Sequence, residues 1–242
     1  MSRSRRYTQG RGLSQRPCAP RKLRPLACNL RLSDRGYWQI FASLAYKIGD
    51  ENPSNDFQVG LAPQRDNYRF PSNNEFDQAL REYDLYRLRG CRHLLEGLEN
   101  YDTKEPTDTS SYSIEHIMPR NERLRPEWRT MLGERWRDVQ NTWLNRLGNL
   151  TLTGYNSTYS DRPVDEKKTL PGGFADSSVR LNRFVREQPV WTAEQISKRT
   201  EELARRAVDH WPSLSVPQSR SMLPITVKCA SKQRGAMSRE LR

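Results

Sequence analysis

Two short alternating segments, far apart in the chain, constrain the fold more than any other feature. Ser111 to Ile117 alternates into a strand that stops at Pro119, and Leu147 to Thr153 (Leu-Gly-Asn-Leu-Thr-Leu-Thr) is β-branched and alternates in the same way. The other periodic segments read at helical spacing. Two strands are too few to stand alone, so helices must cover them. The expected fold is α+β, mainly α, with a small strand–strand–helix unit embedded in a helical domain.

The helices announce themselves by their starts. The run Tyr37-Trp38-Gln39-Ile40-Phe41-Ala42-Ser43-Leu44 reads as a short helix, followed by a polar loop around Pro53 and Pro63. Ser72, with Glu75 three residues later, forms a capping-box signature, and Phe76, Leu80 and Tyr83 follow on one face. A second helix is expected from about Tyr86 to Glu99, with Leu88, Cys91, Leu95 and Leu98 facing inward. A helical stretch lies around Trp128, Met131, Trp136 and Val139, where tryptophans spaced by about two turns pack a core. Gly154 turns the chain, a helix begins near Asn156, and a polar loop holds Pro171-Gly172-Gly173. Helices near 177–187 and 192–210 close the pattern, the second opening at Thr192 and ending at Pro212.

The net charge of +12 invites a nucleic-acid reading, but its location weakens it. Residues 1–36 hold ten Arg and Lys against one acid, and residues 215–242 hold six against one. The span between them is therefore close to neutral. Basic tails of this kind are expected to be disordered and to add only salt-sensitive, non-specific affinity for phosphate. The expected division is a basic N-terminal segment 1–36, a helical segment 37–108, a core 109–214 holding both strands, and a basic tail 215–242. No apolar run approaches the ~20 residues of a membrane span, and the Arg-rich N-terminus lacks the apolar core of a secretory signal. Cys18, Cys28, Cys91 and Cys229 are scattered, without C-x-x-C pairs, so no zinc site is expected. Reduced thiols in a cytoplasmic protein are the plain reading.

Chemistry concentrates at Ile114-Glu115-His116-Ile117-Met118-Pro119. Neighbouring strand residues point to opposite faces, so Glu115 and His116 can reach one site only where the strand ends, and the proline supplies that end. A hairpin followed by a helix can bring Glu115, His116 and Asn156 around one divalent ion. Phosphodiester hydrolysis needs a base for the attacking water and a cation for charge on the phosphate. Histidine suits the base, and hard oxygen donors from Glu and Asn suit Mg²⁺ or Mn²⁺.

At these residues the chain resembles a known family. I-E-H-I-M-P, then W-x(4)-G-N-L-T-L-T and a following Asn, look like the C-terminal nuclease domain of GmrSD-type modification-dependent restriction endonucleases, of the HNH (His-Me finger) superfamily. Asn67-Tyr68-Arg69-Phe70-Pro71, Phe76 and Asp84-Leu85-Tyr86 resemble the segment preceding that site. Ser177-Ser178-Val179-Arg180-Leu181-Asn182, Trp191, Ile196, Arg199 and Trp211-Pro212 resemble the helices that follow it. The resemblance covers roughly residues 37–212. It implies His116 as general base, Glu115 and Asn156 as metal ligands on a ββα-metal finger, and Asn149 as the middle asparagine that braces the loop. It further implies cleavage of foreign, modified double-stranded DNA and an NTP-hydrolysing ParB-like partner. No G-x-x-x-x-G-K-[ST] loop and no Asp-Gly-Gln-Gln-Arg motif occur, so no nucleotide site is expected in this chain.

Arg120, Arg123 and Arg125, just after the first strand, are the better candidates for contact with DNA, and Lys167 and Lys168 are further ones against a solvated face. His93 beside Arg92 reads as inert, and His210 as a residue of a helix C-terminus. A second reading stays open on the same residues: an inactive or truncated DNA-binding or regulatory subunit that assembles with a separate NTPase half.

Overall fold

The computed structural model describes residues 34–46, 48, 52–62 and 70–214. Both basic tails, Cys18, Cys28, Cys229 and Asn67-Tyr68-Arg69 lie outside the described residues, save that the first helix takes in residues 34–36.

The described residues are mainly helical around a two-stranded sheet. Helix α1 spans Asp34–Ala45 and α2 spans Pro53–Leu61. The second replaces the polar loop expected around Pro53. Asn52 accepts a hydrogen bond from the Asn55 backbone N–H at 3.2 Å, and Pro53 occupies the first turn, where its missing N–H costs nothing. Helix α3 (Asn73–Glu82) begins with the full capping box: Ser72 Oγ accepts from Glu75 N–H, and the Glu75 carboxylate accepts from Ser72 N–H at 2.9 Å. Phe76 and Leu80 are buried, but Tyr83 lies past the helix end in extended backbone and is 42% exposed. The helix expected from Tyr86 starts later. Leu85–Arg87 form a 3-10 turn, and α4 runs Cys91–Glu99 after Gly90.

Strands β1 (Ser113–His116) and β2 (Leu150–Thr153) pair antiparallel, with Ser113 opposite Thr153 and His116 opposite Leu150. The second strand is shorter than its alternation suggests. Leu147–Asn149 coil into a 3-10 turn, because the Gly148 N–H donates to Thr200 Oγ1 at 3.0 Å and the Gly148 carbonyl accepts from Arg199. Tertiary partners thus claim the groups a ladder would have used. Between the strands, α5 (Pro126–Leu132) and α6 (Trp136–Trp143) are separated at Gly133, whose φ of 80° suits only glycine well.

After β2 come α7 (Asn156–Tyr159) and α8 (Val164–Thr169), then α9 (Arg183–Glu187) and α10 (Ala193–His210). Helix α8 stands where the sequence suggests only loop. Helix α10 opens at the Thr192 cap and buries Ile196, Arg199, Thr200, Leu203, Ala204 and Ala207, one stripe at the 3–4 residue spacing. Its upper part enters a core of Ile117, Met118, Trp128, Val164, Phe174 and Trp191, and its lower part a core of Phe76, Leu80, Leu95, Leu98, Leu150 and Leu152. Each fully buried aliphatic side chain contributes about 1.5–3 kcal/mol before chain entropy is counted. Ile40, Leu44 and Leu61 form a small separate cluster under α1 and α2. Among the described residues no helix is long and apolar enough to cross a membrane.

Candidate active site

The hairpin end, α7 and the turn at 85–87 enclose a cleft of about 360 Å³. It is lined by Glu115, His116, Arg120, Asn156 and Asp161, with Tyr86 on one wall. Three of the four residues assigned to catalysis or metal binding from the sequence therefore meet there, together with one of the five assigned to DNA.

His116 ends β1 and is 5% exposed. Its Nε2 lies 3.2 Å from Asn145 Oδ1. An amide oxygen only accepts, so Nε2 carries the proton and Nδ1 keeps the lone pair. The Tyr86 ring packs edge-on at 4.4 Å between centroids. Burial pushes the imidazole down to about 4, opposed by the hydrogen bond the ring donates to Asn145 and aided by the nearby Arg120 and Lys167 charges. The shift favours the neutral ring at neutral pH.

Glu115 lines the same cleft and is held from within the protein, where Lys167 Nζ donates to its Oε1 at 2.6 Å. Burial pushes this carboxyl above its ordinary range, while the ammonium draws it back. The same Lys167 donates to the carbonyls of His116 and Ile117, each at 3.1 Å. Lys167 has no exposed surface, and burial draws its ammonium below the usual value. The ammonium, expected to face DNA or solvent, is thus turned inward and braces the end of the strand.

Asn149 does not line the cleft; it is fully buried beneath it. Its Oδ1 accepts from the Met118 N–H at 2.8 Å and the Trp191 indole at 3.1 Å, and its Nδ2 donates to the Met118 and Leu144 carbonyls. Two of the four bonds hold Met118, just after His116, and the other two tie the side chain to Trp191 and Leu144. Asn156, at the first turn of α7, donates from Nδ2 to Ser113 Oγ at 3.0 Å and to the Ile114 carbonyl at 2.9 Å. These bonds tie the helix to β1 and leave Oδ1 as the atom able to meet a ligand.

The remaining candidates divide. Arg120 is exposed at the rim, with its guanidinium 5.1 Å from the Tyr86 ring centroid and Nη1 donating to the Tyr86 hydroxyl. Arg123 is exposed outside the cleft lining. Arg125 is held by Asp161, with 2.8 Å between Nη2 and Oδ1, which keeps the Asp161 carboxyl below the usual range. Lys168 is turned to the Gln188 carbonyl. Sequence reasoning missed Asn145 and Asp161. Asn145 sits four residues before Asn149 on no periodic pattern, and its carbonyl accepts from the Leu85 N–H at 2.9 Å.

Among the described residues no group of three or more His, Cys, Asp or Glu gathers to hold a metal ion. An ion at this cleft would need carboxamide and water ligands beside Glu115. The donors present are hard oxygens, the chemistry that Mg²⁺ and Mn²⁺ accept with several waters retained.

Fold and cleft together define a mainly helical α+β domain with an acid–base cleft at the end of a hairpin. The family model for GmrSD restriction endonucleases, C-terminal domain, matches residues 70–206, and the chain belongs to this family. Both strands, α3–α9 and most of α10 fall inside the match, as do all the residues assigned above. No curated protein matches the chain.

Proposed function

We propose that this chain is the DNA-cutting module of a GmrSD-like, cytoplasmic restriction system acting on foreign, modified double-stranded DNA. The reaction is phosphodiester hydrolysis at an HNH-type, ββα-metal site. The observation that carries this reading is a neutral, oriented His116 in one cleft with Glu115 and Asn156.

His116 takes the proton of the attacking water at Nδ1, while Asn145 holds the ring through Nε2. Asn149 keeps the segment after His116 in place. Glu115, through the oxygen Lys167 does not hold, and Asn156, through Oδ1, would bind one Mg²⁺ or Mn²⁺. When bound, the ion supplies charge stabilisation at the scissile phosphate and leaving oxygen. Arg120 at the rim meets backbone phosphate. The NTP-hydrolysing, ParB-like function belongs to a partner.

Nicking of supercoiled plasmid in Mg²⁺ or Mn²⁺, with EDTA as control, tests this. His116→Ala should lower the rate by about 10²-fold or more with an unchanged circular dichroism spectrum. Undiminished cutting by the variant refutes the assignment. A second reading, an assembly subunit without activity, draws on Lys167, which already offsets the Glu115 charge. No products from the wild-type chain in either metal, together with steeply salt-dependent DNA binding, would select it.

A further inference from the structure

A second, smaller cleft of about 240 Å³ opens between α9, α10 and the 3-10 turn Arg180–Asn182. It shares no lining residue with the His116 cleft. Arg180, Arg183, Arg199 and Arg206 line it, with Glu202 as the one acid in the lining.

Three of the four guanidinium groups are held in a particular way, and Arg183 is exposed. Arg199 is 1% exposed; its Nη1 donates to the Gly148 and Leu150 carbonyls and its Nη2 to the Leu181 carbonyl. Its Nε has no hydrogen-bond partner. Arg180 Nη1 donates to the Tyr101 carbonyl at 2.6 Å, and Arg206 Nη2 to the Leu98 carbonyl at 2.8 Å. These partners are neutral carbonyls, which orient a guanidinium without cancelling its charge. The acids nearby are Glu202 and Glu99, and Glu99 accepts from the backbone N–H groups of Arg180 and Leu181. Three fixed positive charges and the exposed Arg183 therefore face two negative ones around a concave space. Burial pushes Arg199 down to about 9 and lowers Arg206 as well, and the Glu202 charge opposes both shifts without cancelling them.

Guanidinium forks recognise tetrahedral oxyanions by paired N–H donors. The cleft is smaller than the ~300–1,000 Å³ of a drug-sized site, so it admits a group rather than a whole cofactor. We propose that this arginine cleft is a binding site for a single phosphate group, distinct from the site of hydrolysis. The group can be free oxyanion or one phosphate of a DNA backbone.

The full chain, titrated calorimetrically with inorganic phosphate at constant ionic strength, tests this. Saturable binding of one phosphate per chain is expected, with a melting temperature that rises with phosphate. The Arg183→Gln/Arg206→Gln double variant should lose about tenfold or more in affinity. Arg199 is left intact because it holds three carbonyls. If the double variant melts early without phosphate, Arg183→Gln alone carries the test, since its side chain makes no hydrogen bond among the described residues. Equal phosphate affinity in wild type and variants, or a response reproduced by chloride, overturns the site. In EDTA, a short duplex that displaces phosphate identifies the occupant as DNA backbone. A duplex that binds without displacing it identifies a free oxyanion, and either result sustains the site. Loss of phosphate binding is read without nicking, so failure here and failure of the nuclease reading are separate outcomes.

Discussion

At the scale of the residue, the pair Lys167–Glu115 decides how firmly the site is built. Both side chains are within 5% of full burial, and 2.6 Å separates Nζ from Oε1. A buried pair of this kind adds little over an apolar isostere, because desolvation offsets the attraction. Removing one partner is different, since it strands a charge without solvent. Lys167→Met should therefore cost about 3–5 kcal/mol in urea denaturation. Adding Glu115→Gln in that background removes the stranded charge and should restore much of the loss. A single variant as stable as wild type would mean that the carboxylate finds water, and the brace at the end of β1 would lose its role. Neither partner's burial was legible in the sequence. Glu115 and His116 stand out as a dipeptide at a strand end, but the partner lies 52 positions away on a six-residue helix with no strong signature. Asn145 is hidden in the same way, 29 positions from the ring it touches.

At the scale of the element, α10 against the 147–149 turn is the joint that sets the hairpin. Gly148 stands there for space, not for backbone freedom. A Cβ on it would meet the Ile196 carbonyl oxygen and Thr200 Oγ1, and the first of these is helix backbone that cannot swing aside. Gly148→Ala should cost about 3 kcal/mol. It should also slow nicking, because the Arg199 clasp on Gly148 and Leu150 shifts with the helix and Asn149 moves with the turn. Gly154→Ala is the control: its Cβ would meet only Tyr112 ring carbons at 3.7 Å, an ordinary contact. A Gly148→Ala chain as stable as the control would show that the helix does not press on the turn. Elements with a chemical start signal were readable in advance. Ser72 with Glu75, and Thr192, mark α3 and α10 because a capping side chain must sit next to the orphan N–H groups it serves. Asn52-Pro53 is the same punctuation before α2, where the polar residues that follow masked it. The helix expected from about Tyr86 to Glu99 divided because Leu88 takes extended backbone before Cys91, which periodicity in apolar residues does not register.

At the scale of the whole molecule, the two larger cores are joined rather than independent. The hairpin sends Ile117 and Met118 into one, and Leu150 and Leu152 into the other. Helix α10 does likewise, with Ile196 in the first and Leu203, Ala204 and Ala207 in the second. Opening either core strips one side of the same strand pair and the same helix, so neither can melt while the other keeps its full contacts. Unfolding of this body should be a single transition. Trp128 and Trp191, both fully buried, weight fluorescence towards one core although Trp211 packs against the other, and far-UV circular dichroism follows the helices that span both. The two signals should share a denaturant midpoint within error. The Cys91 thiol, in the other core and pushed up to about 12 by burial, gives an independent reading. Its alkylation, followed by peptide mass spectrometry, should be negligible in the native state and should rise with the same midpoint. Fluorescence and Cys91 alkylation that separate along the denaturant axis would mean two cooperative units. The cleft at the hairpin end could then open while half of the molecule stayed folded.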